Sequence, residues 1–388
     1  MAADIEAYRE TVRAFITERG FSMQHEGVRV PTDPAEERLI REWLRSLYEA
    51  GYLGGGWPVE WGGRADHLPI HDLVLMEELI LGDAYRPLDQ VMLASHALIE
   101  FGTDSQKRDL LPRIRRGEHV WCQLFSEPDA GSDLASLRTR ADIDGDEFVV
   151  TGQKIWSTDA QWADMGMLLA RTDPSLDRHA GITAFVVPMD LPGIEVRPIR
   201  EMTGFSEFCE VFLDGVRLGR EHVLGEVNGG WRVVTSGLAS ERAFVGANAV
   251  QLERMFADLI ALATTARLPD GTAAIEHEDV QAQLADARAR VEEVRLIVRD
   301  TVERILIDDE HQSDGPVAKL AYTEMNVALC ELAMQLIASS TSIDPDGVAV
   351  ANRWHHNFLW GRALTISGGA SEIMRGIIGR QLLGLPRS

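Results

Sequence analysis

The stretch Trp121-Cys-Gln-Leu-Phe-Ser-Glu-Pro-Asp-Ala-Gly-Ser-Asp133 decides how this chain is read. It starts apolar and turns abruptly polar, and Pro128 and Gly131 interrupt any regular element. The sequence therefore predicts a strand running into a loop rich in free backbone N–H groups and small hydroxyls. Such a loop can cradle a phosphate or the edge of a polar ring system. A second stretch, Gly152-Gln-Lys-Ile-Trp-Ser-Thr158, sets a flat aromatic, Trp156, two residues before a hydroxyl, Thr158. A flat cofactor needs such a wall and such a donor. Either stretch alone reads as a β-turn beside a core tryptophan. The functional reading rests on the two together.

Working outward, the 388 residues exceed what one small core accounts for, which predicts two or three domains. An apolar content of 45% and a charged content of 26% are ordinary for a globular enzyme. The formal charge of −23 argues against nucleic acid and against an anionic membrane surface. It leaves room for a polyanionic ligand bound by a local basic cluster. Cys122, Cys209 and Cys330 are odd in number and form no CxxC pair, so neither a disulfide framework nor a metal site is expected. The acidic start Met-Ala-Ala-Asp-Ile-Glu and the lack of a long apolar run predict a cytoplasmic protein.

Residues 1–118 read as helical. Ile5, Tyr8, Val12 and Phe15 share a face, with Gly20 as the stop. Asp33-Pro34-Ala35-Glu36 reads as a capping box before the stripe Leu39, Ile40, Trp43, Leu44 and Leu47. The run Gly51–Gly63 reads as a connector or as a backbone approached by something flat. Helices are predicted over 70–84, 90–101 and 104–116, the last behind a capping box at Thr103–Gln106. From 119 to 226 the period changes to that of strands. The β-type runs are Met165–Ala170, Ile182–Val187, Ile194–Ile199 and Cys209–Leu213, and Gly145 marks a turn into Phe148-Val149-Val150. No helical crossovers intervene, so an antiparallel sheet or barrel is expected. From 227 to 388 the pattern is a helical bundle, with long helices near 231–266, 278–309, 316–340 and 347–366 and a short one over 371–382.

A helical third, a β third and a four-helix bundle in that order, an α+β multidomain plan, resembles the acyl-CoA dehydrogenases. The most specific segments are Ser126–Asp133, Gly152–Thr158 and Gly368-Gly-Ala-Ser-Glu-Ile-Met-Arg375, followed by Leu383-Gly-Leu-Pro-Arg387. The resemblance implies FAD and α,β-dehydrogenation of an acyl-CoA thioester. A carboxylate takes the α-proton in a dry pocket while hydride leaves the β-carbon for the flavin.

By the same resemblance, the backbone at Phe125 and the hydroxyl of Ser126 meet the pyrimidine side of the flavin. Trp156 packs on the ring, and Thr158 reaches toward N5. Gly131, Ser157, Ala370, Ser371 and Glu372 border the cofactor. Ser132 lies near the cofactor phosphate or the thioester's pantetheine arm. Many members carry the base in the C-terminal turn, where this chain has Gly368. Isovaleryl-type and many bacterial members carry it on the first bundle helix, where this chain has Glu241, between Leu238 and Phe244 at three-residue steps. Arg242 then binds the substrate arm or steadies the carboxylate.

Two trans elements of the family are thin here. Of an Arg-x-Phe-Gly element only Arg267 remains, and of a Gln-x-x-Gly-Gly segment only Gln335. Ala370 stands where a threonine is usual. The expected assembly is a homo- or heterotetramer, the latter with a homologous subunit, as in actinobacterial steroid side-chain members. An electron-transferring flavoprotein is the expected acceptor. The rival readings are a non-catalytic subunit of a heteromeric dehydrogenase and an oxidase.

Overall fold

The structure is a computed structural model that describes residues 2–21, 31–86, 89–240, 242–307, 309 and 311–386. The side chains of 2–3, 89–90, 237–240, 242–248 and 305–306 are not among those described. Five helices come first: α1 (Ala2–Arg19), α2 (Pro34–Glu49), α3 (Pro69–Leu81), α4 (Asp89–Phe101) and α5 (Asp104–Arg115). Eight strands follow: β1 (Trp121–Leu124), β2 (Arg140–Asp144), β3 (Glu147–Thr158), β4 (Met165–Arg171), β5 (Ile182–Pro188), β6 (Ile194–Pro198), β7 (Phe208–Gly219) and β8 (Val223–Leu224). The bundle comprises α6 (Gly230–Ser240), α7 (Arg242–Thr265), α8 (Glu278–Leu306), α9 (Asp314–Ser339), α10 (Pro345–Leu364) and α11 (Ser371–Gln381). A small ribbon of β9 (Ala266–Arg267) and β10 (Ser342–Ile343), not foreseen from the sequence, ties the connections after α7 and α9 together.

Local chemistry accounts for the helix starts. Asp33 Oδ1 accepts from the N–H groups of Ala35 and Glu36. The expected reciprocal bond is displaced by one residue, because the Glu36 carboxylate takes the N–H and hydroxyl of Thr32. At α5 the capping box is complete: Thr103 N–H donates to Gln106 Oε1, and Gln106 N–H to Thr103 Oγ1. The Gln106 amide also donates to the carbonyls of Glu221 and Val223, which fastens α5 to the far end of the sheet. In α2, Ile40, Trp43, Leu44, Leu47 and Tyr48 are buried, whereas Leu39 lies beside that stripe and is exposed. The glycine-rich Gly51–Gly63 run packs on its own chain. Gly62 has φ +95°, and a Cβ there would come within 3.0 Å of the Arg115 guanidinium, which sits over the Tyr48 and Trp57 rings.

The sheet order is β6-β7-β3-β2-β4-β5-β8, with β1 added to β4. Most pairs are antiparallel as expected, but β1 runs parallel to β4 and β2 meets β4 in one parallel pair. Strands β4 and β5 are buried on both faces, and alternation assigns each face to a different core. Met165, Met167, Leu169, Ile182, Ala184 and Val186 join the helices α1–α5 in one core. Leu168, Ala170, Phe185 and Val187 pack with Phe148, Val150, Val211 and Leu213 in a second. A third core fills the bundle. Among the described residues no helix is long and apolar enough to cross a membrane.

Candidate functional site

The two stretches singled out in the sequence meet. Ile155 N–H donates to Ser126 O at 3.0 Å. Beneath that bond lies an ion pair that the sequence reading missed. Lys154 is fully buried, and its Nζ donates to Phe125 O at 3.0 Å and to Glu127 Oε1 at 2.8 Å. The Glu127 carboxylate also accepts from the N–H groups of Arg138 and Thr139, at 2.6 and 2.9 Å. Burial raises the Glu127 carboxyl, but the Lys154 charge and these donors outweigh it and hold the group below its ordinary range. Burial pushes the Lys154 ammonium down to about 8 against the pull of Glu127, so both are ionised at neutral pH. Gly152 lets the strands come this close, since a Cβ there would lie 2.7 Å from Thr139 Cα.

Along β3, Phe148, Val150 and Lys154 point inward. By that parity Trp156 would be a core residue. A β-bulge between Lys154 and Ser157 resets the alternation. Trp156 sits in it at φ +61° and is 56% exposed, edge-on to Phe208 at 6.1 Å between centroids. The core-tryptophan reading therefore fails for Trp156, and Trp121 fills that part instead. Ser157 returns to the interior, and Thr158 is half-buried opposite Phe208. Phe125 is buried and Ser126 half-buried, while Gly131 and Ser132 lie on the exposed outer loop. An exposed flat ring beside a hydroxyl-bearing loop, on a base fixed by a buried ion pair, fits a flat heterocycle.

The more distant residues fare differently. Arg267 is engaged within the chain by Asp344, and the buried Ser371 hydroxyl donates to Glu324 Oε1 at 2.8 Å. Ala370 is the residue before α11, and Glu372 is exposed in its first turn. Gln335 borders an open groove of about 500 Å³ between α8 and α9, with Asp286, Arg290, Met325 and Leu332. Glu241, the expected base, and the Arg242 side chain lie outside the described residues. Gly368, in the alternative base position, has φ +61°, a conformation that suits glycine.

A polar cluster unnoticed in the sequence lies between α4 and α6. His96 Nε2 is 3.1 Å from both Ser236 Oγ and Glu100 Oε2, and Ser236 also bonds Glu100. Serine and glutamate share one ring nitrogen, so this is no nucleophilic triad, which needs the acid on the other nitrogen. Among the described residues no group of three or more histidine, cysteine or acidic side chains could hold a metal.

Sequence models of the acyl-CoA dehydrogenase N-terminal, middle and C-terminal domains match residues 2–118, 122–216 and 228–383. The chain belongs to the acyl-CoA dehydrogenase family, and it is an FAD-dependent oxidoreductase. It is 36% identical, over 99% of its own length and 98% of the relative's, to "Acyl-CoA dehydrogenase IpdE1" of Mycobacterium tuberculosis (strain ATCC 25618 / H37Rv). Its fold is similar to the "Tcur3481-Tcur3483 steroid ACAD", with a TM-score of 0.84 and 30% identity over 100% of this chain and 98% of that one. It is equally similar to the "ChsE4-ChsE5 complex from Mycobacterium tuberculosis", with a TM-score of 0.84 and 30% identity over 99% and 98% of the two chains.

Proposed function

We propose that the protein catalyses α,β-dehydrogenation of an acyl-CoA thioester, with Glu241 as the base. The observation that carries this reading is the Glu127–Lys154 clamp, which joins the two cofactor-type stretches next to the bulge that leaves the Trp156 ring exposed. Phe125, Ser126, Trp156 and Thr158 would hold the ring system, and Gly131 and Ser132 the more polar end. Bound FAD supplies the acceptor for the hydrogen leaving the β-carbon. The part left to the chain is to take the α-proton. Its place in the sequence, three residues from both Leu238 and Phe244, supports Glu241 for this step, since apolar neighbours would raise a carboxylate's basicity. Arg242 would orient the substrate arm. Supporting this assignment, Gly368 offers no group that can accept a proton.

A bulky acyl group, such as a steroid side chain, is the proposed substrate, supported by the similarity to a solved steroid ACAD. An electron-transferring flavoprotein is the proposed acceptor. Straight, branched and steroid-tailed thioesters assayed with an artificial acceptor test this. The bulky thioesters are expected to be favoured in kcat/KM by about tenfold or more. A preference for straight chains would overturn the substrate assignment, and rapid peroxide formation would point to an oxidase.

A second reading, a non-catalytic subunit of a heteromeric dehydrogenase, is favoured by one observation. Arg267 and Ser371, two of the residues expected at a cofactor, are engaged by Asp344 and Glu324 of the same chain. FAD per protomer, measured on the chain alone and after mixing with a homologous subunit, separates the two. We expect substoichiometric FAD alone and a gain on mixing. Full occupancy in a homotetramer would remove the motive for a partner.

A further inference from the structure

The end of β3 runs into a second group of buried acids that the proposed mechanism does not use. Ser157, Asp159 and Glu207 are each only 1% exposed. Among the described residues, neither carboxyl oxygen of Asp159, nor the Ser157 hydroxyl, nor Glu207 Oε1 has a hydrogen-bond partner. Asp159 continues the β3–β7 ladder. Its N–H donates to Glu207 O at 2.9 Å, directly beyond the Thr158–Phe208 pair. Like Trp156, it is left-handed, with φ +57°. Two such non-glycine residues within four positions store backbone strain that the surroundings must hold. Glu207 supplies the hold on the other side, because its Oε2 accepts from Trp360 Nε1 of α10 at 3.1 Å.

We propose that Asp159 and Glu207 are positioning residues: a pair of uncharged carboxyl groups that keeps the left-handed end of β3 against β7 and, through Trp360, against α10, and so sets where Trp156 and Thr158 stand. Burying a carboxylate with neither oxygen partnered, as at Asp159, or with only one partnered, as at Glu207, is costly, which favours the neutral acid at both positions. Burial raises Asp159 to about 8, with the Glu201 charge adding to it. Burial likewise raises Glu207 to about 8, helped by Glu201 and Asp159 and opposed by the Trp360 bond.

The two thiols and the imidazole facing the pair do not titrate with it. Burial holds the Cys122 thiol far above its ordinary value and pushes Cys209 up to about 11. His356 of α10, ring to ring with Phe205, is held below its ordinary value by burial. Glu201 is tied down by the N–H groups of Glu207 and Phe208. The folded-state values of Asp159 and Glu207 lie above the unfolded ones. The stability they lend is therefore whole below the ordinary carboxylate range and is lost as pH rises toward about 8. Beyond that point, charge appears next to Glu201 at the strained strand end.

The consequence for the cofactor rests on the reading of Trp156 as its wall; the positioning itself does not. The experiment therefore follows Trp156 in the full chain without FAD, as the difference in fluorescence between proteins with and without Trp156→Phe. In the otherwise native chain this difference should change with a midpoint near pH 8. In Asp159→Asn/Glu207→Gln it should be flat. The same transition in the double variant, or none in the native chain, would overturn the proposal. If the double variant does not fold, Asp159→Asn alone must move or abolish the midpoint, and an unchanged midpoint overturns it. Adding FAD then tests the other reading. A Trp156 signal that titrates as stated but is not quenched by FAD supports the positioning pair and removes the tryptophan from the cofactor site.

Discussion

Lys154→Met is expected to cost about 3–5 kcal/mol of stability, the range found when one member of a buried ion pair is removed. The methionine fills most of the lysine's volume, so the loss is electrostatic rather than a cavity. Glu127 keeps its two backbone donors but loses the cation that holds it ionised, and Phe125 O loses its donor. Because Phe125 and Glu127 flank Ser126, the same change should loosen the loop beside Trp156 and release FAD. Denaturant unfolding and FAD retention after gel filtration measure the two effects. Lys154→Met/Glu127→Leu, which removes both charges, should recover part of the stability. Unaltered stability in the single variant would mean that the pair is not the clamp described above.

Glu241→Gln should leave the yellow flavin spectrum in place while lowering enoyl-CoA formation by about 10²–10⁴-fold, the usual worth of a positioned general base. Glutamine keeps the size and polarity of the side chain but cannot accept the α-proton. The loss should therefore fall on kcat with little change in KM. Single-turnover bleaching of the flavin by substrate is the direct measure. Turnover at the native rate would transfer the base to another residue, and loss of the flavin would show Glu241 to be structural.

Much of the architecture was legible because it is written in local periodicity. The abrupt change from apolar to polar at Phe125 and Ser126 marks where β1 ends, and Thr103 with Gln106 marks where α5 begins. The parallel pairing of β1 with β4 was not legible, since nothing in either strand names a partner so far away in sequence. The clamp was missed for a different reason. Charged residues are read as solvated by default, yet Lys154 shares the inward parity of Phe148 and Val150, and that parity was the available signal. Trp156 could be placed only by its motif, because the bulge that turns it outward leaves no trace in the alternation. Arg267 and Ser371 show the converse: a motif position does not reveal that Asp344 or Glu324 has already claimed the side chain.

The apolar core that spans α1–α5 and one face of β4 and β5 bears on how the chain matures. While the polypeptide is being synthesised, the first five helices must wait with a greasy flank uncovered until β5 has left the ribosome. The opening third is thus a poor candidate for autonomous folding. A fragment ending near residue 118 should aggregate or recruit chaperones, whereas one extended past β8, far enough to cover that flank, should come out compact and resistant to protease.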